Sequence, residues 1–522
     1  MQKRLIILGG GTAGWMAANL LRKHLDEHAF SVCLVESPDI GIIGVGEGST
    51  PHLKVFFDEL GIDENEWMPA CNATFKNGIS FVDWTEHLSE NRYFHPFPSA
   101  TDRQTVAAFL GHCHLKFKGV NVSTNPDDYF LAAQLAKKHL APKTKSPVPL
   151  NYAYHFDSHL LGSFLKDVAM KNGVTHISGT VDDIALHPSG DIASFMMTDG
   201  KCINGDFFVD ASGFRSQLLQ NCLQVGFDSF SDCLLNDSAI ALPSAVSTPL
   251  TSETRASGLK HGWAWHIPLT NRTGNGYVFS QAHCDFSAAE KELRHHINQN
   301  TNDDKTLNSK IKSSEVLNVN ARRIHMKVGQ AKKHWHKNVV AVGLAQGFIE
   351  PLEATALHLV LETLIGFITE FKQGELDGAA LHQAQNSFNQ SMRERYEGIR
   401  DYIVCHYKMN TRSDSQYWID ARENTTASDN LAAVIDAWDA HQDITPILKA
   451  RGMDKYYPAV SWYCLLAGYG RFDSAHLQAP HSKAAQDATH RAASGLRQVE
   501  QYLDKACSQF IPHEHYFNPN SG

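Results

Sequence analysis

The chain has 522 residues, 43% hydrophobic and 20% charged, which are values of a folded globular protein and exclude intrinsic disorder and fibrous repeats. With 47 Lys+Arg against 56 Asp+Glu the net charge is −9, which excludes nucleic-acid binding through a basic face. Length alone suggests three or four domains.

Lys3 and Arg4 before an apolar run imitate a signal peptide, but the glycines that follow give a better account. Residues 5–8 are short and continuously apolar, as in a buried parallel strand. They run into Gly9-Gly10-Gly11-Thr12-Ala13-Gly14, a GxGxxG turn. Residues 15–25 then read as a helix with Met16, Leu20 and Leu21 on one face. A second apolar run, 32–35, ends at Glu36. In such a unit Gly9 permits the tight turn, Gly11 admits a pyrophosphate to the backbone and Gly14 lets helix and strand pack closely. The helix N-terminus receives the phosphates, and Glu36 accepts from an adenosine ribose. Gly9, Gly11, Thr12, Ala13, Gly14 and Glu36 are therefore expected to bind a dinucleotide. The motif fits FAD and NAD equally.

Gly44-Val45-Gly46-Glu47-Gly48-Ser49-Thr50-Pro51 is a second glycine-dense turn, with Pro51 placed to open a helix through Leu60. Gly46 and Glu47 are ligand-proximal candidates, although a plain turn has the same pattern. Short strands follow at 173–177, near Ile184 and at 192–197, with a hairpin signal at Asp199-Gly200. Residues 207–210 read as a strand returning to the first sheet and ending at Asp210-Ala211-Ser212-Gly213. A third strand, 338–343, leads to Glu350-Pro351-Leu352-Glu353-Ala354-Thr355. A helix follows, with Leu357, Val360, Leu361, Leu364, Ile368 and Phe371 on its core face and Lys372 and Gly374 at its end. The expected fold class is α/β, a two-dinucleotide-binding-domain flavoprotein (PHBH-like) with an added, mainly helical substrate-binding region. Residues 1–375 would form the flavin module, discontinuous with β-sheet insertions at about 75–330, and residues 376–522 a helical cap over the substrate site.

Several segments resemble the flavin-dependent tryptophan halogenase family. They are the turn 9–14 with Trp15, the turn 44–51, Ala73-Thr74-Phe75-Lys76 with Phe81, Gly262-Trp263-Ala264-Trp265-His266-Ile267-Pro268-Leu269, and Gly347-Phe348-Ile349 running on through Thr355. Tyr152-Ala153-Tyr154-His155-Phe156-Asp157 and residues 399–407 are similar too, so the resemblance spans about residue 4 to about 470. It implies that FAD, reduced by a separate NAD(P)H flavin reductase, reacts with oxygen and a halide, chloride or bromide, to give hypohalous acid. That oxidant reaches Lys76 beside a small aromatic substrate, indole-like or tryptophan, with Glu353 aiding proton and charge balance. The halide would sit on the backbone N–H groups of Thr355 and Ala356, where the family usually has glycine in place of Ala356. The cofactor set extends to Val181, Leu344 and Leu357. The resemblance admits a homodimer.

The chemistry also follows from the residue types. A lysine amine is nucleophilic only when deprotonated, and burial favours that form. Phe75, Ile79 and Phe81 suit a partly buried Lys76, although most lysines are surface residues. Glu353 could equally cap the helix, and Trp263 and Trp265, two apart on a strand, could be core. The aromatic stretch 456–463 is a candidate substrate end, with core packing of Trp462 and Tyr463 as the alternative. Rival functions are a flavin-dependent aromatic hydroxylase and a non-catalytic flavin-binding protein. Residues 150–200 hold no second nucleotide fingerprint for NADPH, and no GxSxG elbow is present. Among the 29 histidines, the pairs His112/His114, His295/His296 and His513/His515 are expected to be exposed or in loops, and no metal is predicted. The ten cysteines lack a CxxC pair and suit reduced thiols in a cytoplasmic protein. No apolar run reaches the roughly 18 residues of a membrane span.

Overall fold

The computed structural model describes residues 2–38, 46–86, 91–144, 149–302, 320–373, 378–472 and 483–517. Gly44, Val45 and Gly374 lie outside the described residues. The chain divides into two interleaved units. The first is Met1–Ala73, Phe156–Ser231 and Met326–Glu397; the second is Thr74–His155, Asp232–His325 and Gly398–Gly522. The boundary nearest the expected cut at 375 falls after Glu397.

The first unit is built on a six-stranded sheet in the order Trp335–His336, Val339–Ala341, Phe207–Asp210, Lys3–Leu8, Phe30–Glu36, Thr175–Ser178. Every neighbouring pair is parallel except the first. Parallel strands are covered on both faces, which is why these runs are continuously apolar. The register places Leu5 opposite Phe207 on one side and Val32 on the other. Helices Thr12–His24, Ser158–Lys171 and Ala356–Gln373 pack with this unit. On the sheet, Ile6, Leu8 and Phe208 share one core with Ile192, Phe195 and Met197 of an antiparallel layer, Val181–Leu186, Ile192–Met197 and Cys202–Asn204. The first helix starts at Thr12, three residues before the expected start, because apolar periodicity is silent about a first turn made of Thr-Ala-Gly. Gly9 has φ +118, and a methyl there would come within 2.2 Å of the Ala211 carbonyl oxygen; one on Gly14 would come within 1.9 Å of the Gly9 oxygen. Neither neighbour can yield, because both are backbone.

The second unit contains a seven-stranded sheet ordered Arg322–His325, Ser238–Ser244, Thr273–Phe279, Gly262–Pro268, Thr254–Leu259, Gly78–Val82, Arg92–Pro96. Only the pairing of Thr254–Leu259 with Gly78–Val82 is parallel. Helix Phe286–Asn302 covers part of this sheet through Ala289, Leu293 and Ile297. Beyond residue 409 the described chain is mostly helical, including Gln416–Glu423, Asp429–Asp439, Ala459–Gly468 and Lys483–Cys507. No described helix is long and apolar enough to cross a membrane.

Candidate active site

In the first unit the glycine turn is shaped for a dinucleotide. Gly9 N–H donates to Val35 O at 2.9 Å and ties the turn to the neighbouring strand. The helix opens directly after Gly11 with no side-chain cap, so its first N–H groups are left for an anion. A methyl on Gly11 would meet nothing within 4 Å, so the glycine borders open space. Gly10 serves another purpose: a methyl there would collide with the Glu36 carboxylate, which lies against the turn. Glu36 is held by Lys166 at 2.8 Å, and His176 Nε2 lies 2.8 Å from the same carboxylate oxygen. Its backbone oxygen accepts from Gly179, and Ser37 is hydrogen-bonded to Thr180, so Val181 follows directly from this corner.

Gly46 has φ +106, as glycine allows. The Glu47 carboxyl lies beside the side chain of Ser158, whose carbonyl accepts from Thr12 Oγ1 at 3.4 Å. This brings the second glycine-dense turn to the start of the first helix. Gly343, at φ +60, lies so close that a methyl on it would sit 2.9 Å from Ala13 Cβ, which places Leu344 in a turn against the same helix. Leu357 is buried on the helix Ala356–Gln373. The glycine turn, Glu47 and Gly343 thus lie about the start of the first helix, Val181 follows from the Glu36 corner, and Leu357 lies on a helix that packs against the first one. The returning strand ends in Asp210, a fully buried carboxylate that accepts from Leu218 and Leu219 N–H and from Ser212. Burial raises its pKa, and these donors pull it back.

Burial likewise pushes Glu47 up to about 7, against the opposing influence of the Ser158 hydroxyl beside it. A carboxyl raised in the folded state holds an extra proton relative to the unfolded chain, so stability is present below pH 4.5 and is lost as pH rises through 7. The loss is at most about 3 kcal/mol. FAD-free Glu47→Gln should therefore melt at a higher temperature than wild type at pH 8 and at the same temperature at pH 4. Parallel pH dependences of the two melting temperatures would refute this.

Glu353 ends a short 3-10 turn, Pro351–Glu353, and is buried together with Glu350. Ala354 adopts φ +55 and reverses the chain into the helix that begins at Ala356. Thr355 is buried and its carbonyl takes the first helical hydrogen bond, from Leu359 N–H at 2.9 Å. The N–H groups of this helix start have no acceptor within the helix and carry its positive end, as a small anion requires. Gln346, fully buried, accepts from Thr363 and Tyr396 and fixes the segment that leads here.

Lys76 belongs to the second unit and is fully buried. It ends the strand Thr74–Lys76, which pairs antiparallel with Ala153–Phe156 in the register Thr74↔His155 and Lys76↔Ala153. Its Nζ lies 5.6 Å from the centre of the Phe97 ring. The strand is locked by a directional chain. Thr74 Oγ1 donates to Pro268 O at 2.7 Å and so must accept from His155 Nδ1 at 3.1 Å; His155 Nε2 then accepts from Thr254 Oγ1 at 2.9 Å. Burial, and next the charge of Lys76, hold His155 well below its ordinary pKa, so the ring is neutral as this chain demands. The carbonyl at its end belongs to the Trp-x-Trp-x-Ile-Pro strand. Trp263 and Trp265 are both buried there with ring centres 6.3 Å apart, and Trp265 fills the space that a side chain at Gly276 would need.

Trp462 and Tyr463 are buried core residues, and Tyr463 OH donates to Asp443 at 2.9 Å. Tyr457 stacks on Tyr402 at 3.6 Å. Two histidines expected to be exposed or in loops are buried instead: His112, hydrogen-bonded to Tyr129 in a helix, and His513, which contacts the lysine strand. Among the described residues one group of metal-ligating types converges, His52, His358 and Glu362, with ligand atoms within 4.8 Å of one another. The two rings stack at 3.7 Å and 11°, which sets their lone pairs in parallel planes, and Arg395 holds Glu362 at 2.7 Å. That geometry is an aromatic stack beside an ion pair, and no metal is assigned to it. Sequence reasoning missed Ser158, Lys166, His176, Thr254 and His513. Only His155 carried a signal, as part of the Tyr-Ala-Tyr-His-Phe-Asp stretch.

A family model for tryptophan halogenase matches residues 4–485. The chain is 32% identical over 505 residues to the tryptophan 6-halogenase SttH of Streptomyces toxytricini, covering 90% of this chain and 89% of the relative. It is 31% identical over 499 residues to the tryptophan 7-halogenase RebH of Lentzea aerocolonigenes, covering 90% and 89%. Among solved structures, Xcc4156, a flavin-dependent halogenase from Xanthomonas campestris, matches with a TM-score of 0.83 and 30% identity over 99% of this chain and 98% of that one.

Proposed function

We propose, because the chain belongs to the tryptophan halogenase family, that this flavin-dependent halogenase acts on an electron-rich ring such as indole or tryptophan through Lys76 and Glu353. The observation that carries the reading is a fully buried lysine on a three-residue strand, pinned by Thr74 and His155 to the carbonyl of Pro268. An amine with no role is rarely kept in such a place, since a buried lysine costs stability.

The first unit fits FAD: open space at Gly11, an uncapped helix start and a ribose acceptor in Glu36 support it. Gly9, Gly11, Thr12, Ala13, Gly14, Glu36, Gly46, Glu47, Val181, Leu344 and Leu357 would hold the cofactor. Bound and reduced, FAD supplies with oxygen the two-electron oxidising power that converts halide to hypohalous acid. In this reading Thr355 and Ala356 N–H groups hold the halide. Lys76 receives the hypohalous acid, either as a hydrogen-bond donor or, when neutral, by forming an N–halogen bond with release of water. The ring carbon then takes the electrophilic halogen as its bond to oxygen or nitrogen breaks, and Glu353 takes up the proton that the ring loses, which balances the proton taken by the departing water or Lys76 amine. Burial of Lys76 shields an N–halogen bond there from hydrolysis and the oxidant from side reaction.

A separate NAD(P)H flavin reductase as the electron source, a cytoplasmic location and a homodimer complete the proposal; the ten cysteines, with no CxxC pair among them, support a reducing compartment. The test is a substrate panel: the protein with FAD, a reductase, NADH, oxygen and equal chloride and bromide, offered tryptophan, indole and other electron-rich arenes. A halogenated arene is expected from at least one. Unchanged rings across the whole panel would overturn the reading. In the same assay Ala356→Gly removes a methyl beside the proposed halide position and should change the chloride-to-bromide product ratio; an unchanged ratio would show that Ala356 does not tune the site.

A further inference from the structure

The segment that ends the described chain buries a histidine against the lysine strand. In an antiparallel pair alternate residues turn their N–H groups away from the partner strand. Phe75 is such a residue, and its N–H donates to His513 Nε2 at 3.2 Å. An acceptor at Nε2 puts the proton on Nδ1, which donates to Leu250 O at 3.1 Å. The fully buried imidazole thus takes the place of a missing neighbouring strand, bridging an N–H on one side and a carbonyl on the other. It is itself fixed: His513 N–H donates to His139 O at 2.8 Å, and the strand Phe510–Pro512 just before it pairs with Leu140–Thr144. From the helix His513–Phe517, Tyr516 packs edge-on against the Phe75 ring at 4.8 Å, and Phe517 lies at 5.6 Å.

We infer that His513 is a positioning residue for Lys76: its neutral ring holds the adjacent backbone so that the lysine amine stays where it receives halogen. Burial pushes the ring down to about 4, so the bridge persists at neutral pH. The inference rests on Lys76 being the halogen-transfer lysine. A loosened strand leaves formation of the oxidant intact but lets more of it escape before it reaches the substrate ring.

The full-length protein is tested as His513→Ala and as His513→Gln, whose amide can accept from Phe75 and donate to Leu250. Two quantities are read: hydrogen exchange of the peptide over residues 72–78, and the partition of oxidised halogen between the arene and a hypohalous-acid trap in solution. His513→Ala should speed exchange at least about tenfold, the scale of a lost buried amide hydrogen bond. It should also move product from arene to trap, and His513→Gln should restore both. Unchanged exchange or partition in His513→Ala, or a Gln variant as impaired as the Ala variant, overturns the inference. Should His513→Ala not fold, His513→Leu keeps the volume without the polar atoms and carries the same expectation. Lys76→Ala is run beside them. Arene halogenation surviving in Lys76→Ala overturns the underlying reading of the lysine. Loss there with a normal partition in His513→Ala overturns the positioning role alone.

Discussion

Lys76→Ala should retain FAD and lose halogenated product by on the order of 10³-fold or more, the scale of removing a group that contacts the reacting atoms. FAD binding should survive because the expected cofactor residues all belong to the first unit and Lys76 to the second. Removing a fully buried side chain also leaves a cavity, so the alanine variant alone would mix catalysis with stability. Lys76→Met fills most of the volume; its thioether can consume hypohalous acid by going to the sulfoxide, but it offers neither an N–halogen bond nor an N–H donor through which halogen could reach the ring. Equal loss in both variants, with melting temperatures close to wild type for Lys76→Met, is the expected pattern. Methionine at wild-type rate would show that the position serves packing.

Glu353→Gln should lower the rate of halogenation by about 10² to 10⁴-fold, the range for removing a group that takes a proton in the transition state. Gln keeps the shape of the side chain at a buried position that ends the turn before the helix Ala356–Gln373. The fold and the FAD content should therefore be unchanged, and steady-state product formation with saturating halide reads the loss. If Glu353 only complements the positive end of the helix, the variant would show wild-type turnover and a shifted melting temperature instead.

Local steric rules made much of the first unit legible. Gly9 and Gly14 must be glycine because neighbouring backbone occupies the space, and such constraints act within a few residues of each other. The three strands ending at Glu36, Asp210 and Ala341 were readable as unbroken apolar runs, and they lie parallel in one sheet, with Lys3–Leu8 between the strands ending at Glu36 and Asp210. Pairing over long separations was not readable. Thr74 meets His155 across 81 residues and Phe75 meets His513 across 438, distances over which no local pattern specifies a partner. Interleaving of the two units has the same origin. Histidine was misread for a related reason: a neutral ring is a donor and an acceptor at once, and its burial depends on partners supplied by the tertiary fold. His112 and His513 have such partners. Trp462 and Tyr463 could have faced substrate or core on sequence grounds, and packing places both in the core.

The oxidant made by this enzyme is expected to end as halogen on an aromatic ring, delivered by Lys76. Mass spectrometry of the indole product, formed with FAD, a reductase, NADH, oxygen and bromide, tests it directly. The expected product carries bromine in place of one ring hydrogen and is absent when Lys76→Ala is used. Hydroxylated indole without halogen, still formed by Lys76→Ala, would contradict it.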